Sequence, residues 1–201
     1  MTNFLSLPVD VMAVSKFQPT DAIQDVINKG YRLFGENRVQ EAALKWPDLL
    51  QRNPQCRLHL IGPLQTNKVR QALQLFQGIE TIDRPRLVDE IINHKSSIDC
   101  RVSEFLIQVN IGEEPQKAGV MPADFEALLT YCREVNLPIS GIMCIPPVNL
   151  DPVPYFMAMN ALSQAYSLPT TSMGMSSDYN QAIACGSTRI RIGTALFGNR
   201  R

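Results

Sequence analysis

The stretch VMAVSKFQPTDAIQDVINKG, residues 11–30, decides the fold. Val11, Met12, Ala13 and Val14 form a continuous apolar run, as a strand buried on both faces requires. The run ends at Ser15 and Lys16, a polar pair at the mouth of a core. After a short break, Ala22, Ile23, Val26 and Ile27 fall on one face at helical spacing. Thr20 is placed to cap that helix and Gly30 to stop it. Residues 11–30 therefore hold one strand, one polar strand end and one amphipathic helix.

The unit recurs along the chain. Strands are predicted at 31–37, 57–62, 78–83, 104–110, 137–145, 170–175 and 188–193. Helices are predicted at 38–50, 66–76, 84–94, 121–135, 152–166 and 176–186. Strands that alternate with helices pair in parallel through right-handed crossovers. Eight such units predict a (β/α)8 TIM barrel, a single domain over residues 1–201. The alternative is a doubly wound sheet. Against it, no GxGxxG opens a helix after the first strand, and Lys16 stands where those glycines would be.

Composition narrows the function. The 201 residues include 19 basic and 19 acidic side chains. That balance argues against nucleic acid or an anionic membrane as partner. No apolar run approaches the ~20 residues of a membrane span, and the first residues lack the basic segment of a signal peptide. The five cysteines are scattered, without the CxxC or Cys/His spacing of a zinc site. An odd count with no export signal reads as reduced thiols in a cytoplasm.

In a barrel the chemistry gathers at the C-terminal strand ends. Polar and glycine residues collect there: Ser15–Lys16, Gly35–Glu36–Asn37, Gly62, Asn110, Ser172–Ser176 and Gly193–Thr194, with His59, Arg189 and Arg191 inside strands. A lone lysine at a strand end usually snorkels to solvent. In a partly buried site the same amine becomes a nucleophile that forms imines with carbonyl compounds. Pyridoxal phosphate is the common cofactor held this way, and its phosphate needs an anion cradle. SMGMSSDYNQA (172–182) and RIGTALFG (191–198) offer one, after the seventh and eighth strands, where barrels recurrently bind phosphate.

Several motifs at compatible spacing carry a family resemblance: AVSK (13–16), FGENRVQE (34–41), HLIGPLQTNK (59–68), QVNIGEEPQKAG (108–119), GIMCIPP (141–147), SMGMSSDY (172–179) and RIRIGTALFG (189–198). The chain resembles the YggS/PROSC family of pyridoxal phosphate homeostasis proteins over nearly its whole length. The resemblance implies a barrel like the N-terminal domain of alanine racemase. It implies a Schiff base on Lys16 and a phosphate cradle at Ser176, Gly193 and Thr194. It places Arg191 at the pyridine nitrogen, where an arginine disfavours protonation of the ring and makes it a weaker electron sink. Asn37 and His59 are expected to line the pocket, although a buried strand histidine is more often a satisfied core residue. The family usually carries a longer helix before the first strand. Here about ten residues with Pro8 stand in its place, which puts the cover between strands eight and one in question.

Three roles follow as expectations. The favoured one is a non-enzymatic protein of vitamin B6 homeostasis that stores the cofactor and passes it to apo-enzymes. A racemase on the same barrel is the alternative. It needs two proton-transfer groups on opposite faces, and in alanine racemase the second is a tyrosine from another domain. No tyrosine is expected opposite Lys16, and the chain is expected to end with the barrel, as a monomer. The third role is an empty scaffold that binds no cofactor. Lys117 reads as a solvated loop lysine and Lys68 as a first-turn helix lysine behind a Thr66 cap; the alternative for each is a transient amine acceptor or a contact to the cofactor phosphate.

Overall fold

The βα rhythm of the sequence builds out unit by unit. The computed structural model describes residues 3–198. The strands are β1 (Asp10–Val14), β2 (Leu33–Glu36), β3 (Arg57–Leu60), β4 (Gly78–Ile82), β5 (Glu104–Val109), β6 (Ile139–Cys144), β7 (Thr170–Met175) and β8 (Arg189–Ile192). The helices are α1 (Thr20–Asn28), α2 (Val39–Arg52), α3 (Val69–Leu75), α4 (Pro85–Lys95), α5 (Phe125–Glu134), α6 (Val153–Ala165), α7 (Tyr179–Ala184) and α8 (Thr194–Phe197). Single 3-10 turns at Thr66–Lys68 and Pro122–Asp124 lead into α3 and α5.

The strands close into a barrel in chain order, and every neighbouring pair is parallel. This is the (β/α)8 architecture that the sequence predicts. The seam is closed by four aligned pairs, from Asp10 opposite Arg189 to Ala13 opposite Ile192. A 3-10 turn, Phe4–Ser6, stands before β1. Its Phe4 is buried and meets Tyr179 of α7 edge-on, with ring centroids 5.4 Å apart. The expected cap at Thr20 is corrected by one position: Thr20 is the first helical residue, and Pro19 takes the cap place with its φ already suited to it. Gly30 follows α1 at φ +102°, as a helix stop requires.

Strand parity sorts the core into two parts. Ala13, Phe34, Leu58, Ile79, Ile107, Ile142, Ile190 and Ile192 pack outward into the large apolar shell beneath the helices. Met12, Leu33 and Ile61, with Val14 against them, form a small separate cluster. The charged residues of β4 and β8, Glu80, Arg189 and Arg191, are buried as well. Among the described residues no helix is long and apolar enough to cross a membrane, and no group of His, Cys, Asp and Glu is placed to hold a metal.

Candidate binding site at the C-terminal mouth

A cavity of about 430 Å³ opens where the strands end, within the usual size of a small-molecule site. Lys16 and Gln18 enter it beyond β1, Asn37 beyond β2, and Ile61 beyond β3. Ile145 enters beyond β6, Met175, Ser176 and Ser177 from the β7 end, and Arg191, Gly193 and Thr194 from β8. Val14 and Ile61 give it apolar walls. Six of the seven residues picked from the sequence thus meet here: Lys16, Asn37, Ser176, Arg191, Gly193 and Thr194.

Local sequence explains these placements. The ladder between β7 and β8 slips between Ser172 and Met175, so β7 carries an extra residue there. Gly174 takes up the distortion at φ +93°, and a Cβ on it would lie 2.5 Å from the Cβ of Ala182. A bulge of this kind re-aims the residues beyond it, here Met175–Ser177, toward the mouth. Asp178 Oδ1 fixes the turn by accepting from the Met175 N–H at 2.6 Å. Asn37 is set by close approach: a Cβ on Gly62 would come within 2.1 Å of the Asn37 carbonyl oxygen.

The mouth is rich in unpaired donors. The backbone N–H groups of Ser176, Ser177, Thr194 and Ala195 find no acceptor among the described residues. Ser176 is half-buried, while Ser177, Thr194 and Ala195 are exposed, so these two pairs on adjoining loops are open to solvent and suit an anion that contributes several oxygens.

Arg191 is 4% exposed and held only by neutral groups. Its Nη1 donates to the Ser172 carbonyl at 2.7 Å and to Ser172 Oγ at 2.9 Å, and Nη2 donates to the Cys144 carbonyl at 2.7 Å. Burial pushes its pKa down, the charges of Glu80 and Asp178 push back, and the net shift is downward. Burial likewise raises the Cys144 thiol to about 12, which leaves it protonated and inert.

His59 does not line the cavity, and the expectation that it does is corrected. It is buried in an ionic layer of the barrel, its Nδ1 3.0 Å from Glu80 Oε1 and its Nε2 3.6 Å from Glu104 Oε2. Arg189 Nη1 donates to Glu80 Oε1 at 2.8 Å, and Nη2 donates to Glu104 at 3.1 Å and Asp10 at 3.2 Å. Burial alone would raise the Glu80 carboxyl. The His59 hydrogen bond, the Arg189 and His59 charges and the Ser172 hydroxyl outweigh it and hold the carboxyl at about 2. Ser172 joins this layer to the site, because its hydroxyl donates to Glu80 Oε2 at 2.6 Å while accepting from Arg191. Lys117 lies outside the cavity, paired with Glu114 and donating to the Pro146 carbonyl at 3.2 Å. Lys68 ends a 3-10 turn, also outside it.

The sequence reading missed Val14, Gln18, Ile61, Ile145, Met175, Ser177 and Gly198 as lining residues. Val14, Ile61 and Ile145 read as ordinary strand residues. Ser177 and Met175 were legible as neighbours of Ser176 within one motif.

The sequence profile of the alanine racemase N-terminal domain family matches residues 2–201. A pyridoxal phosphate homeostasis protein of Aquifex aeolicus is 39% identical over 203 residues, covering 95% of this chain and 87% of that one. PipY of Synechococcus elongatus, solved without PLP, superposes with a TM-score of 0.88 at 37% identity, covering 96% of this chain and 95% of its own. The same protein with PLP bound gives 0.86 at 36%, with the same coverage. An alanine racemase of Corynebacterium glutamicum shares the fold at 17% identity and a TM-score of 0.70, covering 94% of this chain and 55% of its own. This chain belongs to the alanine racemase N-terminal domain family, in the group that holds the pyridoxal phosphate homeostasis proteins.

Proposed function

We propose that the chain binds pyridoxal 5′-phosphate in this cavity, anchors it covalently through Lys16, and serves cofactor homeostasis rather than turnover. The observation that carries this reading is the convergence of Lys16, the backbone donors of Ser176, Ser177 and Thr194, and the buried Arg191 on a single cavity. The solved PipY relative with PLP bound supports it.

When bound, the cofactor supplies an aldehyde that condenses reversibly with a primary amine. Lys16 contributes that amine from the end of β1. The N–H groups of 176, 177, 194 and 195, with the hydroxyls of Ser176 and Thr194, hold the phosphate dianion. Gly193 lies at the cavity wall beside Val14 of β1. Val14 and Ile61 cover apolar ring surface, and Asn37 offers a polar edge. Arg191 is assigned to the pyridine nitrogen. As a permanent cation that only donates, it competes with a proton at that position and keeps the ring a poor electron sink.

Storage needs no more than this, since a reversible bond allows loading, release and transfer to apo-enzymes. Racemisation needs a second proton carrier. Among the described residues no His, Asp, Glu, Cys or Tyr lines the cavity. The test is a titration with pyridoxal phosphate beside Lys16→Ala. A visible band in the wild type alone is expected. Incubation of the loaded protein with L-alanine and chiral analysis is expected to give no more D-alanine than free cofactor does. Racemisation that disappears with Lys16 would replace this reading with an enzyme.

A further inference from the structure

A second ionic cluster, outside the cavity, grips the chain on both sides of Lys16. Glu36 ends β2 fully buried against α2. Its Oε1 accepts from Ser15 Oγ at 2.7 Å and from Trp46 Nε1 at 3.1 Å, and lies 2.9 Å from Lys45 Nζ. The Lys45 ammonium also donates to Glu41 Oε1 at 2.8 Å, to the Ser15 carbonyl at 3.1 Å and to the Gln18 carbonyl at 3.4 Å. Glu41 Oε1 accepts from the Phe17 N–H at 2.5 Å. Lys45 and Glu41 stand one turn apart on α2, so one helix face binds the carbonyl before Lys16, the N–H after it and the carbonyl of Gln18.

This grip holds an unfavourable backbone. Phe17 sits at φ +64°, in the left-handed region that bulky residues avoid. Such a conformation persists only where its surroundings enforce it, and it recurs at functional sites. The two halves of the site are thus set separately. The anion cradle belongs to the β7 and β8 ends, and the seat of the lysine belongs to β1 and α2.

We propose that Lys45, acting with Glu41, is a positioning residue that fixes residues 15–18 so that the Lys16 amine meets the aldehyde of a cofactor already held by its phosphate. This rests on Lys16 being the covalent anchor. In the step concerned, the neutral amine adds to the aldehyde carbon and one C=N bond forms. The aldehyde oxygen leaves as water with the two amine protons. Placement matters because an ångström of misalignment between reacting groups costs up to about a hundredfold in rate.

The experiment compares wild type, Lys45→Met, Lys45→Arg and Glu41→Ala. It follows the rate at which the Lys16-dependent band appears. It also measures affinity for pyridoxine 5′-phosphate, which keeps the ring and phosphate but has an alcohol in place of the aldehyde. Lys45→Met is expected to slow condensation by about tenfold or more, with pyridoxine phosphate affinity changed less than about twofold. Lys45→Arg, which keeps the cation and donors, is expected to recover part of the rate. Lys45→Met strands the buried Glu36 and is liable to misfold. Glu41→Ala, which releases the Phe17 N–H at a partly exposed position, then carries the test with a severalfold slowing. An unchanged rate in a folded variant, or an equal loss of both readouts, would overturn the positioning role. A wild type with no Lys16-dependent band would remove the anchor as well.

Discussion

Two arginines lie two residues apart on β8 and meet opposite surroundings. Arg189 is bound to the carboxylates of Glu80, Glu104 and Asp10. Burial alone would lower its pKa, but the charges of Glu80 and Glu104 and their hydrogen bonds drive it upward. Arg191 is bound to two carbonyls and a hydroxyl, and burial drives its pKa downward. One positive charge is cancelled inside the barrel. The other is left uncancelled by any bonded carboxylate, at the floor of the cavity, where it can act on a ligand. A buried charge without a partner is expensive, so such an arrangement points to function at Arg191 and to architecture at Arg189.

Breaking the Arg189 side should cost most. Arg189→Met leaves Glu80 buried beside His59 with its strongest cation gone, and a loss of about 3–5 kcal/mol is expected from urea unfolding.

Acid attacks the same layer. The Glu80 carboxyl is held at about 2 in the fold against an ordinary 4.5. A lowered folded value means that its contribution is fully present above pH 4.5 and is lost as pH falls toward 2. That span corresponds to about 3 kcal/mol. Glu80→Gln should flatten this acid limb in a series of unfolding curves, and an unchanged limb would move the acid sensitivity elsewhere.

The Arg191 side should respond differently. Arg191→Met leaves two buried carbonyls short of donors, a cost of about 2 kcal/mol. Its larger effect is expected on the bound cofactor, as weaker binding and a displaced visible band. Arg189→Met should leave that band in place in whatever fraction folds.

The smallest effect tests the link between the two. Ser172→Ala removes the hydroxyl that bridges Arg191 and Glu80, while the Ser172 and Cys144 carbonyls still hold Arg191. About 1 kcal/mol is expected, read as a modest drop in thermal midpoint with the Lys16-dependent band retained.

The barrel was legible because its strands are short, apolar and separated by amphipathic helices. β7 falls on the predicted residues, Thr170–Met175, and the other strands lie within the predicted ranges or one residue outside them. The mouth was legible because Lys16, Asn37, Ser176 and Thr194 break apolar runs at strand ends. His59 was misplaced for a physical reason. Alternation along a strand tells which side chains point inward, but depth along the barrel depends on stagger between strands. His59 pairs in register with Gly35 and Gly78 and lies a layer below the mouth. Glu80 hid inside the apolar-looking run GIETID, and nothing local marks it as the partner of a residue 109 positions away. The grip of Lys45 and Glu41 on residues 15–18 was hidden too, since a charged pair four apart on a helix normally reads as a solvated face.

The central claim is that Lys16 is the covalent anchor, and borohydride trapping tests it most directly. The protein is loaded with pyridoxal phosphate, reduced, digested and mapped by mass spectrometry. The account predicts the phosphopyridoxyl mass on the peptide that contains Lys16, and none in Lys16→Ala. Label on Lys117 or Lys68 in place of Lys16, or no label from a protein that binds the cofactor, would contradict it.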